Sequence, residues 1–213
     1  MLLTPEKGRR SNKEKVDKEN KDAPAFVRSP KGFFIELIKI VLIAVAVIIP
    51  IRYFLFQPFY VRGASMEPNF HDNEYLIIDE ITYRFNDPQR GEVVVIKDPK
   101  TQSEFLIKRI IGLPEEKVEI KDGQVIIYND QFAGGIVLQE EYLSDGLQTN
   151  GDDVFQLSKD QYYVLGDNRP VSLDSRNFGA LEEENIVGRA WLRVWPFNQF
   201  QQFSSPEYNL SLP

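Results

Sequence analysis

The run from Phe33 to Ile51, FFIELIKIVLIAVAVIIPI, constrains this chain more than any other feature, because only Glu36 and Lys39 interrupt nineteen otherwise apolar or small residues. Apolar character continues through Tyr53, Phe54, Leu55 and Phe56. About 20 helical residues cross a hydrocarbon core of roughly 30 Å, and a charged pair three apart near one end can sit at headgroup level. We therefore expect a transmembrane helix over residues 32–56. A buried core helix and a cleavable signal peptide are the alternatives. The only small-x-small triplet near the run, Ala44-Val45-Ala46, lies inside it, which favours a retained anchor.

Residues 1–31 are rich in Lys, Glu, Asp, Asn and Pro and have too few apolar side chains to offset the entropy of ordering, so a disordered tail is expected. Lys18, Lys21, Arg28 and Lys31 stand just before the span, which places this tail in the cytoplasm by the positive-inside rule. Arg52 and Arg62 on the far side weaken that bias without reversing it. Residues 57–213 then form an extracytoplasmic body.

Charge narrows what this body binds. Residues 1–32 hold nine Lys/Arg and five Asp/Glu, which leaves the remainder with 16 basic and 27 acidic residues, a balance of −11. Such a surface repels phosphate backbones, so nucleic acid is not expected as a ligand. With no cysteine and a single histidine, His71, neither thiolate chemistry nor a multi-histidine metal site is available, and no metal or cofactor is expected.

The body reads as mainly β. Short runs rich in Val, Ile, Tyr and Phe, bounded by Gly, Pro, Asn and Asp, predict strands at 75–81, 92–97, 105–111, 118–121, 125–128, 162–165 and 190–195. Asp122-Gly123 between two such runs predicts a type I′ hairpin, which needs positive φ at both central residues. The Gly- and Asp-rich stretch 132–156 lacks clear periodicity. The expected architecture is an antiparallel β-sheet domain with a smaller loop-rich β insertion around 115–160.

Three segments carry candidate chemistry. In Gly63-Ala64-Ser65-Met66-Glu67-Pro68, directly after the span, Gly63 permits positive φ and Pro68 excludes regular structure, so Ser65 sits on a shaped turn. Alone it is a turn serine or a nucleophile. In Phe105–Gly112, alternation puts Lys108 on one face with Leu106 and Ile110, and Arg109 on the other with Ile107 and Ile111. Both faces are apolar, so one cation must lie near the core. Lys108 then either snorkels into an ion pair or is desolvated to a neutral amine able to take the Ser65 proton. In Gly166-Asp167-Asn168-Arg169-Pro170-Val171-Ser172-Leu173-Asp174-Ser175-Arg176, Ser172 offers a hydroxyl to orient the lysine, and Asp174 with Arg176 offers a scaffold ion pair.

Together these segments resemble the type I signal peptidases, the Ser-Lys serine endopeptidases that cleave exported preproteins. GASMEP resembles the nucleophile box, Gly91–Pro99 (GEVVVIKDP) a structural strand box, Ile107–Pro114 (IKRIIGLP) the lysine box, and GDNRPVSLDSR the last box, in the family's order behind one span. The resemblance implies Ser65 as nucleophile, Lys108 as general base, Ser172 hydrogen-bonded to the lysine, an Asp174–Arg176 structural pair, Met66 at the edge of the site, and a structural role for Arg109. It implies signal peptides as substrates, cut after a small-x-small motif as an added β-strand, with a monomeric enzyme at the lipid bilayer of a plasma membrane; a thylakoid membrane also fits. Apolar surface near Phe56, Phe59, Tyr60 and Met66 is expected to rest on the bilayer.

Three departures matter. Gly63 stands where some members carry a serine that completes the oxyanion hole, Asn69 replaces a frequent Thr, and Pro170-Val171 replaces a frequent polar pair. Rival readings are a self-cleaving repressor protease, which would need a DNA-binding head, a tethered β-domain that only binds, and a Ser65–His71 hydrolase, for which no separately placed acid can be read.

Overall fold

The computed structural model describes residues 30–54 and 56–204. The expected disordered tail therefore lies outside the described residues up to residue 29, as does the side chain of Phe56. The chain forms two units, divided between Ile49 and Pro50.

Helix α1 spans Pro30–Phe54. Its Ile- and Val-rich sequence would favour strands in water, but lipid offers no partners for strand edges, and a helix satisfies its backbone internally. From Lys31 to Ile49 the helix is long and apolar enough to cross a membrane, and its side chains are exposed on every face. An all-round apolar helix of this kind suits lipid as its surroundings.

In the body every strand pairing is antiparallel. The larger sheet contains β1 (Phe56–Tyr60), β2 (Tyr75–Asp79), β3 (Val93–Lys97), β4 (Phe105–Gly112), β9 (Gln161–Leu165), β10 (Leu181–Glu182), β11 (Ile186–Trp195) and β12 (Gln201–Gln202). Its order is β1-β2-β11-β3-β4-β9-β10, with β12 against β11. Register shifts within β4 and β11 curl this sheet, since a bulge bends a strand and increases its twist.

The smaller sheet, order β7-β6-β5-β8, holds β5 (Lys117–Lys121), β6 (Gln124–Tyr128), β7 (Ile136–Val137) and β8 (Val154–Gln156). The β5–β6 hairpin turns on Asp122 and Gly123 at φ 51° and 79°, the left-handed pair expected there. Val118, Ile120, Val125 and Ile127 alternate inward and pack with Ile111, Tyr163 and Leu165 of the larger sheet into one core. A second core gathers Val61, Met66, Phe70, Leu76 and Ile78, and a third lies around Val94, Ile96, Ile110 and Val164.

Met66 is 1% exposed within the second core, so the expectation that it forms part of a bilayer-facing surface is corrected. Its flexible thioether fills the space beneath the serine turn instead.

Candidate active site

Ser65 lies on the turn between β1 and β2, and Lys108 on β4. Lys108 Nζ stands 2.9 Å from Ser65 Oγ and donates to the Ile107 carbonyl at 2.7 Å. The lysine is 2% exposed. Burial, which penalises the charged ammonium, lowers its pKa to about 8, against the opposing pull of Asp174 and Asp167.

The turn is clamped from beneath. Asn168 donates from its backbone N–H to the Ser65 carbonyl and from its side chain to the Ala64 carbonyl, each at 3.0 Å. Gly166 lies against the same carbonyl so closely that a Cβ there would come within 2.5 Å of it. The Gly166 N–H donates to Asp174 at 3.0 Å, and its carbonyl accepts from Arg169 Nε at 3.0 Å. Asp174 and Arg176 form the expected pair, with Arg176 Nη2 2.8 Å and Nε 2.9 Å from the carboxylate oxygens. Asp174 also caps the short helix α2 (Ser175–Phe178).

Sequence reasoning required one of Lys108 and Arg109 to be buried, and both are. Arg109 is held by a two-pronged pair with Asp167, Nε to Oδ1 at 2.8 Å and Nη2 to Oδ2 at 2.6 Å, and it also donates to the Gly91 carbonyl. The planar fork makes a buried cation tolerable where a single contact would not. Arg169, also buried, is paired with Glu140 in the loop between β7 and β8. Neither acidic partner was named from sequence, and only the alternation around Arg109 signalled a buried cation.

Two expected site residues engage differently. Ser172 is buried, but its Oγ makes no hydrogen bond among the described residues, so the expected bond to Lys108 is not made in this geometry. The lysine has a nearer acceptor in its own preceding carbonyl, while Ser172 packs against Gly166. Gly63 has φ 87°, and its N–H donates to Asp72 Oδ1 at 2.8 Å, so that donor is already engaged. The Ser65 N–H is hydrogen-bonded to no other described residue. His71 is exposed, and the carboxylate near it is Glu67 at 3.9 Å.

A groove of about 550 Å³ opens beside Ser65 and Lys108. Val61, Leu76, Val95 and Ile107 are among its apolar lining, and Phe59 meets Phe105 edge-to-face across it with ring centroids 5.4 Å apart. Strand β9 pairs with β4 only from Arg109 to Gly112, whereas β3 pairs with Phe105–Arg109. The edge of β4 from Phe105 to Lys108, beside the groove, is therefore unpaired among the described strands.

A family model described as signal peptidase, peptidase S26, matches residues 34–195. The probable signal peptidase I-2 of Synechocystis sp. is 38% identical over 172 residues, 78% of this chain and 76% of that protein. Signal peptidase I T of Bacillus subtilis is 33% identical over 197 residues, 88% of this chain and 98% of that protein. A crystal structure of a signal peptidase I from Enterococcus faecalis is 30% identical and covers 49% of this chain and 97% of that one, at a TM-score of 0.41. Because the family match runs from residue 34, within the apolar helix, to the end of β11, taking in the serine turn, the lysine strand and the loop beneath them, this chain belongs to the signal peptidase family, peptidase S26, and is a hydrolase.

Proposed function

We propose that this peptidase removes signal peptides from exported preproteins, with Ser65 as nucleophile and Lys108 as general base. The observation that carries the reading is the 2.9 Å contact between a buried amine and a serine hydroxyl at the mouth of an apolar groove. With a pKa near 8, a useful fraction of the amine is neutral at working pH, where it takes the Oγ–H proton during attack and returns it to the leaving amine. The Ser65 N–H stabilises the developing oxyanion, with Gly63 committed to Asp72.

The substrate adds as an extended strand along the open edge of β4 and inserts small side chains at the first and third positions before the cut. The groove suits this because it is apolar, and because the Phe59–Phe105 contact lies three residues along β4 from Lys108, roughly 10 Å at strand spacing. Helix α1 crosses the membrane with its N-terminus in the cytoplasm, so the monomeric enzyme meets inserted preproteins at the bilayer surface.

The detergent-solubilised chain should cleave a preprotein after a small-x-small motif. Ser65→Ala should lower the rate by at least about 10³-fold, whereas His71→Ala should stay within about twofold of the parent chain. A dead His71→Ala with an active Ser65→Ala would overturn the assignment of both residues.

A further inference from the structure

The loop between β7 and β8 belongs to the smaller sheet, yet one of its residues touches three groups around the proposed dyad, Asn69, Arg109 and Arg169. Tyr142 accepts a hydrogen bond at its carbonyl from Asn69 Nδ2 at 2.8 Å. Its ring lies under the Arg109 guanidinium, 4.0 Å from centroid to Cζ. Its hydroxyl donates to Glu140 Oε1 at 2.6 Å and receives Arg169 Nη2 at 3.4 Å.

Each contact leads to the reacting atoms within a few bonds. Arg109 is the chain neighbour of Lys108. Asn69 closes the serine turn through its N–H to the Met66 carbonyl at 3.0 Å, and its side chain also reaches Asp167 Oδ2 at 2.9 Å. Asp167 binds Arg109 and precedes Asn168, which clamps Ser65. Arg169 holds Gly166 against the same turn. A flat ring covering one face of the guanidinium limits where Arg109 can turn and keeps water from the Asp167 pair.

We propose that Tyr142 is a positioning residue for peptide-bond cleavage: through Arg109 and Asn69 it fixes the approach of Lys108 to Ser65, which makes the smaller sheet a working part of the active site. The inference rests on the dyad reading above. The ring is the active element, because it contacts Arg109 directly; the hydroxyl adds only the tie to Glu140 and Arg169.

The test compares Tyr142→Leu and Tyr142→Phe in the full chain in detergent, on a preprotein with a small-x-small site. Tyr142→Leu should lose about tenfold or more in kcat with KM within about twofold, since a displacement of 1 Å at reacting atoms costs up to about 10²-fold. Its acid limb in the kcat–pH profile should also move to higher pH. The Arg109–Asp167 pair sets that direction: Asp167 already favours the ammonium beside Asp174, and with Arg109 loosened its charge is less neutralised and favours it more strongly. Tyr142→Phe should keep kcat within about threefold and leave the profile in place.

An unchanged kcat in Tyr142→Leu overturns the proposal, as does a loss with an unmoved pH profile, or an equal loss in Tyr142→Phe. If Tyr142→Leu does not fold, Tyr142→Met removes the ring while keeping a long flexible side chain, and the same criteria apply. Ser65→Ala run in parallel separates the two claims. If it is inactive while Tyr142→Leu behaves as the parent, only the positioning role falls; if it still cleaves, the dyad reading falls and takes the positioning role with it.

Discussion

Lys108→Met is expected to be inert as a peptidase and more thermostable than the parent chain at neutral pH. Among the described residues the buried ammonium has no carboxylate within bonding distance, and its pKa falls from 10.5 to about 8. Between those values the unfolded chain holds a proton that the folded chain lacks, so wild-type stability rises with pH across that window. Below about pH 8 the folded state carries the full cost, of order 3 kcal/mol. Methionine matches the volume and removes this cost, while the Ile107 carbonyl loses its donor at about 1 kcal/mol. A net gain of about 2 kcal/mol raises Tm by roughly 5 °C for a chain of this length. Thermal unfolding in detergent at pH 7 and at pH 10.5 checks this: the advantage should nearly vanish at the higher pH, where the wild-type amine is neutral in the folded state and already half neutral in the unfolded one. In the parent chain, cleavage should rise with pH along a limb centred near 8, because only the neutral amine serves as base. A Lys108→Met variant that cleaves, or one whose stability advantage is equal at both pH values, contradicts the buried-base assignment.

The same lysine shows how far the sequence could be read. Its strand was legible because Leu106, Ile107, Ile110 and Ile111 leave no polar face, and its chemical role followed from asking what a cation does there. The strands from Tyr75 to Tyr128 and the Asp122-Gly123 hairpin were legible for a similar reason, since alternation and turn chemistry are local. Strand β1 was not, because the apolar run of α1 passes into it without a break in composition. Strands β7, β8, β10 and β12, of two or three residues each, are too short to carry a period.

The partners of buried charges were less legible still. That Arg109 needs an acid could be read from its neighbours, but that the acid is Asp167, 58 residues away, depends on how β4 and β9 register. Arg169 with Glu140 is harder again, because Glu140 sits in a stretch without periodicity. The hydroxyl of Ser172 was expected on the lysine by resemblance, and a local carbonyl takes its place. Resemblance transfers residue types more reliably than it transfers individual hydrogen bonds.

Gly166→Ala should be among the most damaging single-methyl changes in the molecule, and its damage should divide into two separable parts. The added Cβ would overlap the Ser172 side chain and come within 2.5 Å of the Ser65 carbonyl oxygen. Gly166 cannot retreat, because Asp174 holds its N–H and Arg169 its carbonyl, both at 3.0 Å. The serine turn must therefore move. Overpacking of this kind costs about 1–3 kcal/mol in stability, and displacing Ser65 from Lys108 should lower kcat by about 10²-fold. Ser172→Gly added to Gly166→Ala removes the side-chain overlap but leaves the Ser65 carbonyl where it was. The double variant should thus recover most of the lost Tm while its kcat stays low. Recovery of both together would mean that Ser172, not the Ser65 carbonyl, is the contact that forbids a side chain at 166, and that the position of the serine turn tolerates more play than a 2.9 Å dyad implies.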